Sequence, residues 1–75
     1  MPDHIIAADL DGLEGLLTKL AQLRANGRIS LIHRTMARAA SDRLNRLMKI
    51  APDAHHRRIS SLSRLYATFM NSLKR

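Results

Sequence analysis

The sequence predicts an all-α protein, a small three-helix bundle formed by a single domain over residues 1–75. Two observations lead to this fold class. In three segments, apolar residues recur at intervals of three and four, the spacing that places side chains on one face of an α-helix. Between these segments lie an Asn-Gly pair and an Ala-Pro pair, which are typical helix ends. We expect helices over about residues 9–25, 30–50 and 54–73.

The first helix has a clear apolar face and a clear end, but two possible starts. Asp3 is a suitable N-cap for an early start, whereas residues 11–14 have the Asp-x-x-Glu pattern of a capping box. Two glycines in the segment each cost roughly 1 kcal/mol inside a helix. They favour a start near Asp9, or else a close approach by another backbone. Gly27 can adopt the left-handed conformation that ends a helix. The expected apolar face consists of Ile6, Leu10, Leu13, Leu17 and Leu20.

The second helix is predicted to have one apolar side and one positively charged side. Ser30 is the expected N-cap because its hydroxyl can accept an early backbone N–H. Ala51 precedes Pro52 and is therefore disfavoured in the α region, so the helix should end there. The residues expected to face the core are Ile29, Ile32, Met36, Ala40, Leu44 and Leu47.

The third helix is expected to begin after Asp53, which is a good N-cap. Its apolar residues step by three and four, which is typical of the core face of a bundle helix. We expect the second and third helices to be longer than the first, so that part of this face projects beyond it and contacts a partner or a second copy. This face is called the α3 seam, after the third helix (α3, expected over about residues 54–73). It consists of Leu62, Leu65, Tyr66, Phe69, Met70 and Leu73.

The size of the chain favours an oligomer. With 75 residues and no cysteine, it is near the lower limit for an independent core and has no disulfide to stabilise it. Dimerisation would supply additional core, so we expect a homodimer of the three-helix bundle. The alternative architecture is a dimer that closes a four- or six-helix assembly. The absence of cysteine fits a cytoplasmic protein.

The charge is high and unevenly distributed. The net charge is +7, and the residues up to Gly27 carry −2 whereas those from Arg28 onward carry +9. Such a balance predicts an anionic partner, either nucleic acid or an acidic protein surface. Ten of the 13 cations are arginine, which suits bidentate contacts to phosphate, although GC-rich codon usage gives the same bias. The expected anion-binding residues are Arg34, Arg38, Arg46, Lys49, Arg57, Arg58 and Arg64.

These features favour a small, non-catalytic regulatory protein that binds nucleic acid through its arginine-rich helix faces. The alternative is an interaction module, such as an inhibitor, adaptor or anti-activator of phage or plasmid type, that docks the α3 seam onto a partner protein. We expect no metal or other cofactor, because no two histidines have the spacing of a chelating pair on a helix. A catalytic site is not expected in a bundle with so little room for a pocket. No apolar run approaches the roughly 20 residues of a membrane span.

Overall fold

The structure, a computed structural model, describes residues 2–74 and consists of three helices: α1 (Asp3–Ala25), α2 (Leu31–Ile50) and α3 (His56–Ser72). One 3₁₀ turn over Asp53–His55 precedes α3. Each helix packs against the other two, and the molecule measures 38 × 17 × 16 Å. The prediction of a small all-α bundle is therefore confirmed.

The helices run up, down and up. At the end of α1 the guanidinium of Arg24 donates to the carbonyl oxygen of Ser72, with 2.9 Å between Nη2 and O. At the other end of the molecule, 3.3 Å separate Nε2 of His55 from a carboxylate oxygen of Asp3. Since like ends of α1 and α3 meet, these two helices are parallel and α2 is antiparallel to both.

Helix α1 takes the early start, so the expected start near Asp9 was wrong. The carbonyl oxygen of Pro2 accepts the backbone N–H groups of Ile5 and Ile6, at 3.1 and 3.2 Å. Ile6 and Leu10 are fully buried. Core packing therefore stabilises the first turns and outweighs the cost of the two glycines.

The glycines of α1 do not mark a close approach either. A Cβ added at Gly12 or Gly15 would have no heavy atom within 4 Å, and both residues are exposed. With its early start, α1 has 23 residues and is longer than α2 with 20 and α3 with 17. The expectation that the other helices project beyond a short first helix was therefore wrong.

The end of α1 is as predicted. Gly27 has a φ of +70°, which is left-handed, and its N–H donates to the carbonyl of Arg24 at 3.0 Å. The N–H of Arg28 donates to the carbonyl of Leu23 at 2.8 Å. This pair of bonds is the Schellman motif, and it satisfies carbonyl groups that the helix leaves free.

The ends of α2 also agree with the sequence. Ser30 is the N-cap, and its backbone N–H donates to Nδ1 of His33 at 3.1 Å. Ala51 leaves the helix with an extended ψ of 145° ahead of Pro52. Asp53, in contrast, does not cap α3. It begins the 3₁₀ turn, which is closed by the backbone bond from the N–H of His55 to the carbonyl of Pro52 at 3.0 Å.

In the first half of α2, the residues that face the core are not the predicted ones. Ile32 and Met36 are 66% and 40% exposed, whereas Ala37 is fully buried. The reason is geometric, because the buried leucines of the second half fix which side of a straight helix faces the core. At 100° per residue, Ile32 then lies roughly a quarter turn away from that side.

The core is a single apolar cluster between the three helices. It contains no buried polar or charged side chain among residues 2–74. Partly buried apolar side chains extend it, including Ile29 in the connection between α1 and α2. Its buried members are Ile6, Leu10, Leu17, Leu20, Ala37, Ala40, Leu44, Leu47, Ala51, Ile59, Leu62 and Phe69.

Candidate nucleic-acid interface

Helices α1 and α2 are joined by an ion pair between Asp9 and Arg43. Both Nε and Nη2 of the arginine donate to Oδ2 of the carboxylate, with 2.9 Å from Nε. Each side chain is about one-third exposed. Arg43 was not among the predicted site residues, because its carboxylate partner is 34 residues away and local spacing gives no signal for such a contact.

Helices α1 and α3 are joined by Arg58, which contacts two carboxylates. Its Nη2 donates to Oδ1 of Asp11 and, at 2.9 Å, to Oε2 of Glu14. The hydrogen bonds that the Arg58 guanidinium donates to Asp11 and then to Glu14 raise its pKa above the ordinary value, and desolvation opposes this rise. Arg58 was expected to bind an external anion, and the structure places it against α1 instead.

The solvent side of α2 carries four cations, here called the α2 basic face. All four side chains are exposed. At 100° per residue they lie within about a third of the helix circumference, and at 1.5 Å per residue they span roughly 22 Å. No carboxylate of residues 2–74 forms an ion pair with them, although exposed Asp42 lies on the same side. The α2 basic face consists of Arg34, Arg38, Arg46 and Lys49.

The solvent side of α3 forms a second, smaller set, the α3 basic face. Arg57 and Arg64 are exposed and lie seven residues apart, which places them on one side of the helix about 10 Å apart along the axis. No ion pair to either is present in the described part of the chain. Four polar side chains at neighbouring positions were not among the predicted site residues, although their helical spacing from the arginines indicates a shared side. They are Ser60, Ser61, Thr68 and Asn71.

The seven predicted anion-binding residues therefore fall into three groups. Four make up the α2 basic face, two make up the α3 basic face, and Arg58 is paired with α1. The acidic first segment neutralises the sides of α2 and α3 that face it and leaves their outer sides unpaired. Since a charge that already has a partner adds little attraction for another anion, the outer faces carry the available positive potential.

The α3 seam lies mostly inside the bundle. Leu62 and Phe69 are 5% and 4% exposed. The other four members are partly buried and pack against the same core. Because α1 is longer than α3, the seam packs against the core and does not project beyond a shorter first helix.

Part of the α3 seam borders a shallow apolar depression between α1 and α3. Leu65 and Phe69 line it together with Ala21 and Ala25 of α1, and it has a volume of about 370 Å³. Arg24 lies at its rim, where the bond to Ser72 holds the guanidinium. A second depression, between the start of α2 and Met70, is lined by residues of the α2 basic face.

Two histidines, His55 and His56, lie near carboxylates but are not part of a metal site in the described part of the chain. Nδ1 of His56 is 3.6 Å from Oδ1 of Asp53, and Nε2 of the same ring is 2.9 Å from the carbonyl oxygen of Ala51. Over residues 2–74, no three histidine, aspartate or glutamate side chains are placed to share a metal ion.

Comparisons with protein-family models, with curated proteins and with solved structures found no match. None of the three helices, within the range that the structure describes, is long and apolar enough to cross a membrane.

Proposed function

We propose that this protein is a small, non-catalytic, cytoplasmic regulator that binds nucleic acid through the phosphate backbone. One observation carries the proposal: the α2 basic face has four exposed cations and no ion pair to a carboxylate of residues 2–74, while the arginines that face α1 are paired. No cofactor is part of the proposal.

The dimensions and chemistry of the α2 basic face fit a phosphate backbone. Its length of roughly 22 Å corresponds to about six base-pair rises of 3.4 Å. Arginine donates in a planar fork that matches phosphate oxygens. The α3 basic face adds two arginines beside hydroxyl and amide side chains, which are also common phosphate donors.

Sequence-specific readout is not expected. The aromatic residues that could stack on bases are both in the α3 seam, where Phe69 is buried and Tyr66 is half-buried. Contacts to phosphate and sugar position a protein without reading sequence. Unrelated duplexes of equal length should therefore bind with similar affinity.

An interaction module that docks the α3 seam is the weaker candidate. This candidate depended on the α3 seam extending beyond the first helix. In the structure α1 is the longest helix, and Leu62 and Phe69 are buried. An acidic protein surface is the alternative occupant of the basic faces, and it would be the remaining candidate if the duplex in the experiment below did not bind at low salt.

The test is fluorescence anisotropy with a labelled duplex of about 20 base pairs, titrated over a range of salt concentrations. If four to six cations contact phosphates, log K should fall with log salt at a slope of roughly −4 to −5. Arg38→Gln should reduce this slope by about one. The matched control is Lys19→Gln, an exposed position on α1 outside both basic faces, which should leave the slope unchanged. Absence of binding at low salt would overturn the proposal.

A further inference from the structure

The first half of the α2 basic face borders a concave surface between α2 and α3, here called the α2–α3 depression. Its volume is about 270 Å³. Arg34 and Arg38 lie one turn apart on α2 and line the depression together with Met70, which α3 contributes. The complete lining is Leu31, Arg34, Thr35, Arg38 and Met70.

The two arginines of the depression are available to an anion. Both are exposed, and neither forms an ion pair within residues 2–74. The acidic residues of α1 lie between Asp3 and Glu14, whereas the start of α2 follows the end of α1. On α2 the nearest carboxylate is that of Asp42, one turn beyond Arg38. The occupant of the depression should therefore carry negative charge.

The remainder of the lining is mainly apolar. Leu31 is 80% exposed, the highest value among the large apolar side chains of residues 2–74. Met70 is partly buried, and its flexible thioether makes favourable contacts with aromatic rings. The hydroxyl of Thr35 donates to the carbonyl oxygen of Leu31 at 3.2 Å, so its proton is already used. The occupant should therefore have an apolar part beside its charge.

A flat aromatic ring joined to an anion matches both parts of this lining. A guanidinium plane stacks on the face of a base as well as pairing with phosphate, and methionine sulfur contacts ring edges. The volume lies below the roughly 300–1,000 Å³ of pockets for drug-sized ligands, and it suits a single base better than a base pair. Inside a duplex the faces of the bases are covered by their neighbours. Only an unpaired nucleotide can present one.

We propose that the α2–α3 depression binds one unpaired nucleotide, with its phosphate at Arg34 and Arg38 and its base against Leu31 and Met70. This inference rests on the proposed function and specifies its ligand: a nucleic acid with a single-stranded end, loop or gap. Stacking tolerates any base, because every base has a π-face. The site therefore selects unpaired structure and not sequence.

The first test compares two labelled probes by fluorescence anisotropy. Both consist of the duplex used above with a short single-stranded overhang, which carries bases in one probe and abasic residues in the other. The phosphates are the same in number. The overhang with bases should bind at least about fivefold more tightly. The two salt slopes should be equal, because contacts to a base release no counterions.

The outcomes of this comparison separate the inference from the proposed function. Equal affinities of the two probes would overturn the inference and leave binding through the phosphate backbone intact. Absence of binding by either probe at low salt would overturn both.

The second test uses two variants at opposite ends of α2. Leu31→Ser should lower the ratio of the two affinities at least about twofold, because part of the apolar surface under the base is lost. The matched control is Ile50→Ser, at an apolar residue that is 58% exposed and lies outside the depression, and it should leave the ratio unchanged. Neither residue is part of the core, so circular dichroism should show the same helix content. An equal ratio in both variants would contradict the inference.

A fluorescent base in the overhang reports where the base lies. In the complex with the wild-type protein, 2-aminopurine should be quenched less by acrylamide than in the complex with Leu31→Ser. The complex with Ile50→Ser should match the wild type. Equal quenching in all three complexes would place the base in solvent and overturn the inference.

Discussion

Two sets of arginine residues on this bundle differ in their surroundings rather than in their type. Arg43 and Arg58 face α1, and each donates to carboxylates of that helix. The cations of the α2 basic face lie on the solvent side of α2 and have no such partner among residues 2–74. The first set stabilises contacts between helices, and the second leaves its donors to solvent or to a ligand.

This difference shows why a count of basic residues overstates a binding surface. The net charge of +7 includes cations whose nearest counter-charge is within the chain. Exposed ion pairs contribute roughly 0.2–1 kcal/mol to stability, and their attraction for a further anion is reduced. Substitution of the unpaired arginines should therefore change the affinity for an anionic ligand, whereas substitution of the paired arginines should change the stability of the fold.

The largest effect is expected from neutralising the α2 basic face. Binding of a duplex at about 100 mM salt should weaken by more than 100-fold, because four counterion-releasing contacts are lost. The thermal midpoint should change little, since these side chains are exposed and unpaired. Anisotropy and thermal denaturation measure the two quantities. The substitutions are Arg34→Gln, Arg38→Gln, Arg46→Gln and Lys49→Gln.

A matched variant removes the same number of charges elsewhere. It should weaken binding less than 10-fold, because it leaves the α2 basic face intact and lowers only the general potential. Equal losses for the two variants would mean that net charge, not the side of the helix, determines binding. The control substitutions are Lys19→Gln, Arg43→Gln, Arg58→Gln and Lys74→Gln.

A smaller effect is expected from releasing Arg58 by the double change Asp11→Asn and Glu14→Gln. The free energy of unfolding should fall by about 1 kcal/mol as the contact between α1 and α3 is lost. The freed guanidinium becomes available to phosphate, so the salt slope should steepen by up to about one. A slope that stays the same would show that Arg58 is not accessible to the ligand. Urea unfolding and the salt titration provide the readings.

This loss of stability should not depend on pH between about 6 and 9. Pairing raises the pKa of Arg58 above its unfolded value, so its contribution is fully present below the unfolded pKa and is lost only as the pH rises through the folded one. Urea unfolding at both limits should give the same difference between wild type and variant. A difference that shrinks towards pH 9 would contradict this sign.

The smallest effect is expected from Arg43→Gln. The ion pair with Asp9 is partly exposed, and its loss should lower the free energy of unfolding by at most about 1 kcal/mol. Binding of a duplex should remain within twofold of the wild type, because Arg43 is not part of either basic face. A loss as large as that of Arg38→Gln would remove the distinction between the paired and unpaired sets.

Local chemistry was enough to predict the helices and most of their ends. Gly27 ends α1 because a residue without a Cβ adopts a left-handed φ at no steric cost. Pro52 ends α2 because it disfavours the α conformation at the preceding residue. The α3 seam was recognised as a helix face because its apolar residues follow a heptad spacing and no second apolar face competes with it. The start of α1 was not predictable locally, since burial of Ile6 depends on what packs against it.

The orientation of α2 and the partition of the arginines required the tertiary structure. Two overlapping stripes run along α2, one through Met36 and one through Ala37, and the sequence favours the one with larger apolar residues. The helix buries the stripe that contains Ala37, because that stripe shares a side with the leucines of its second half. Likewise, Arg58 and Arg64 have equal local signals, and only the position of α1 distinguishes them.

The pairing of α1 with its neighbours gives this helix a role beyond filling the core. No acidic residue follows Asp53, so α3 has no counter-charge of its own, and the chain from Arg28 onward has 11 basic residues against two acidic ones. Helix α1 acts as a tethered counterion, held near α2 and α3 at an effective concentration that dilution cannot reduce. Cleavage of the exposed loop at Gly27 would separate α1 from the rest of the chain. The remaining pair of helices, α2 and α3, would carry a high positive charge and lack the core residues that α1 contributes.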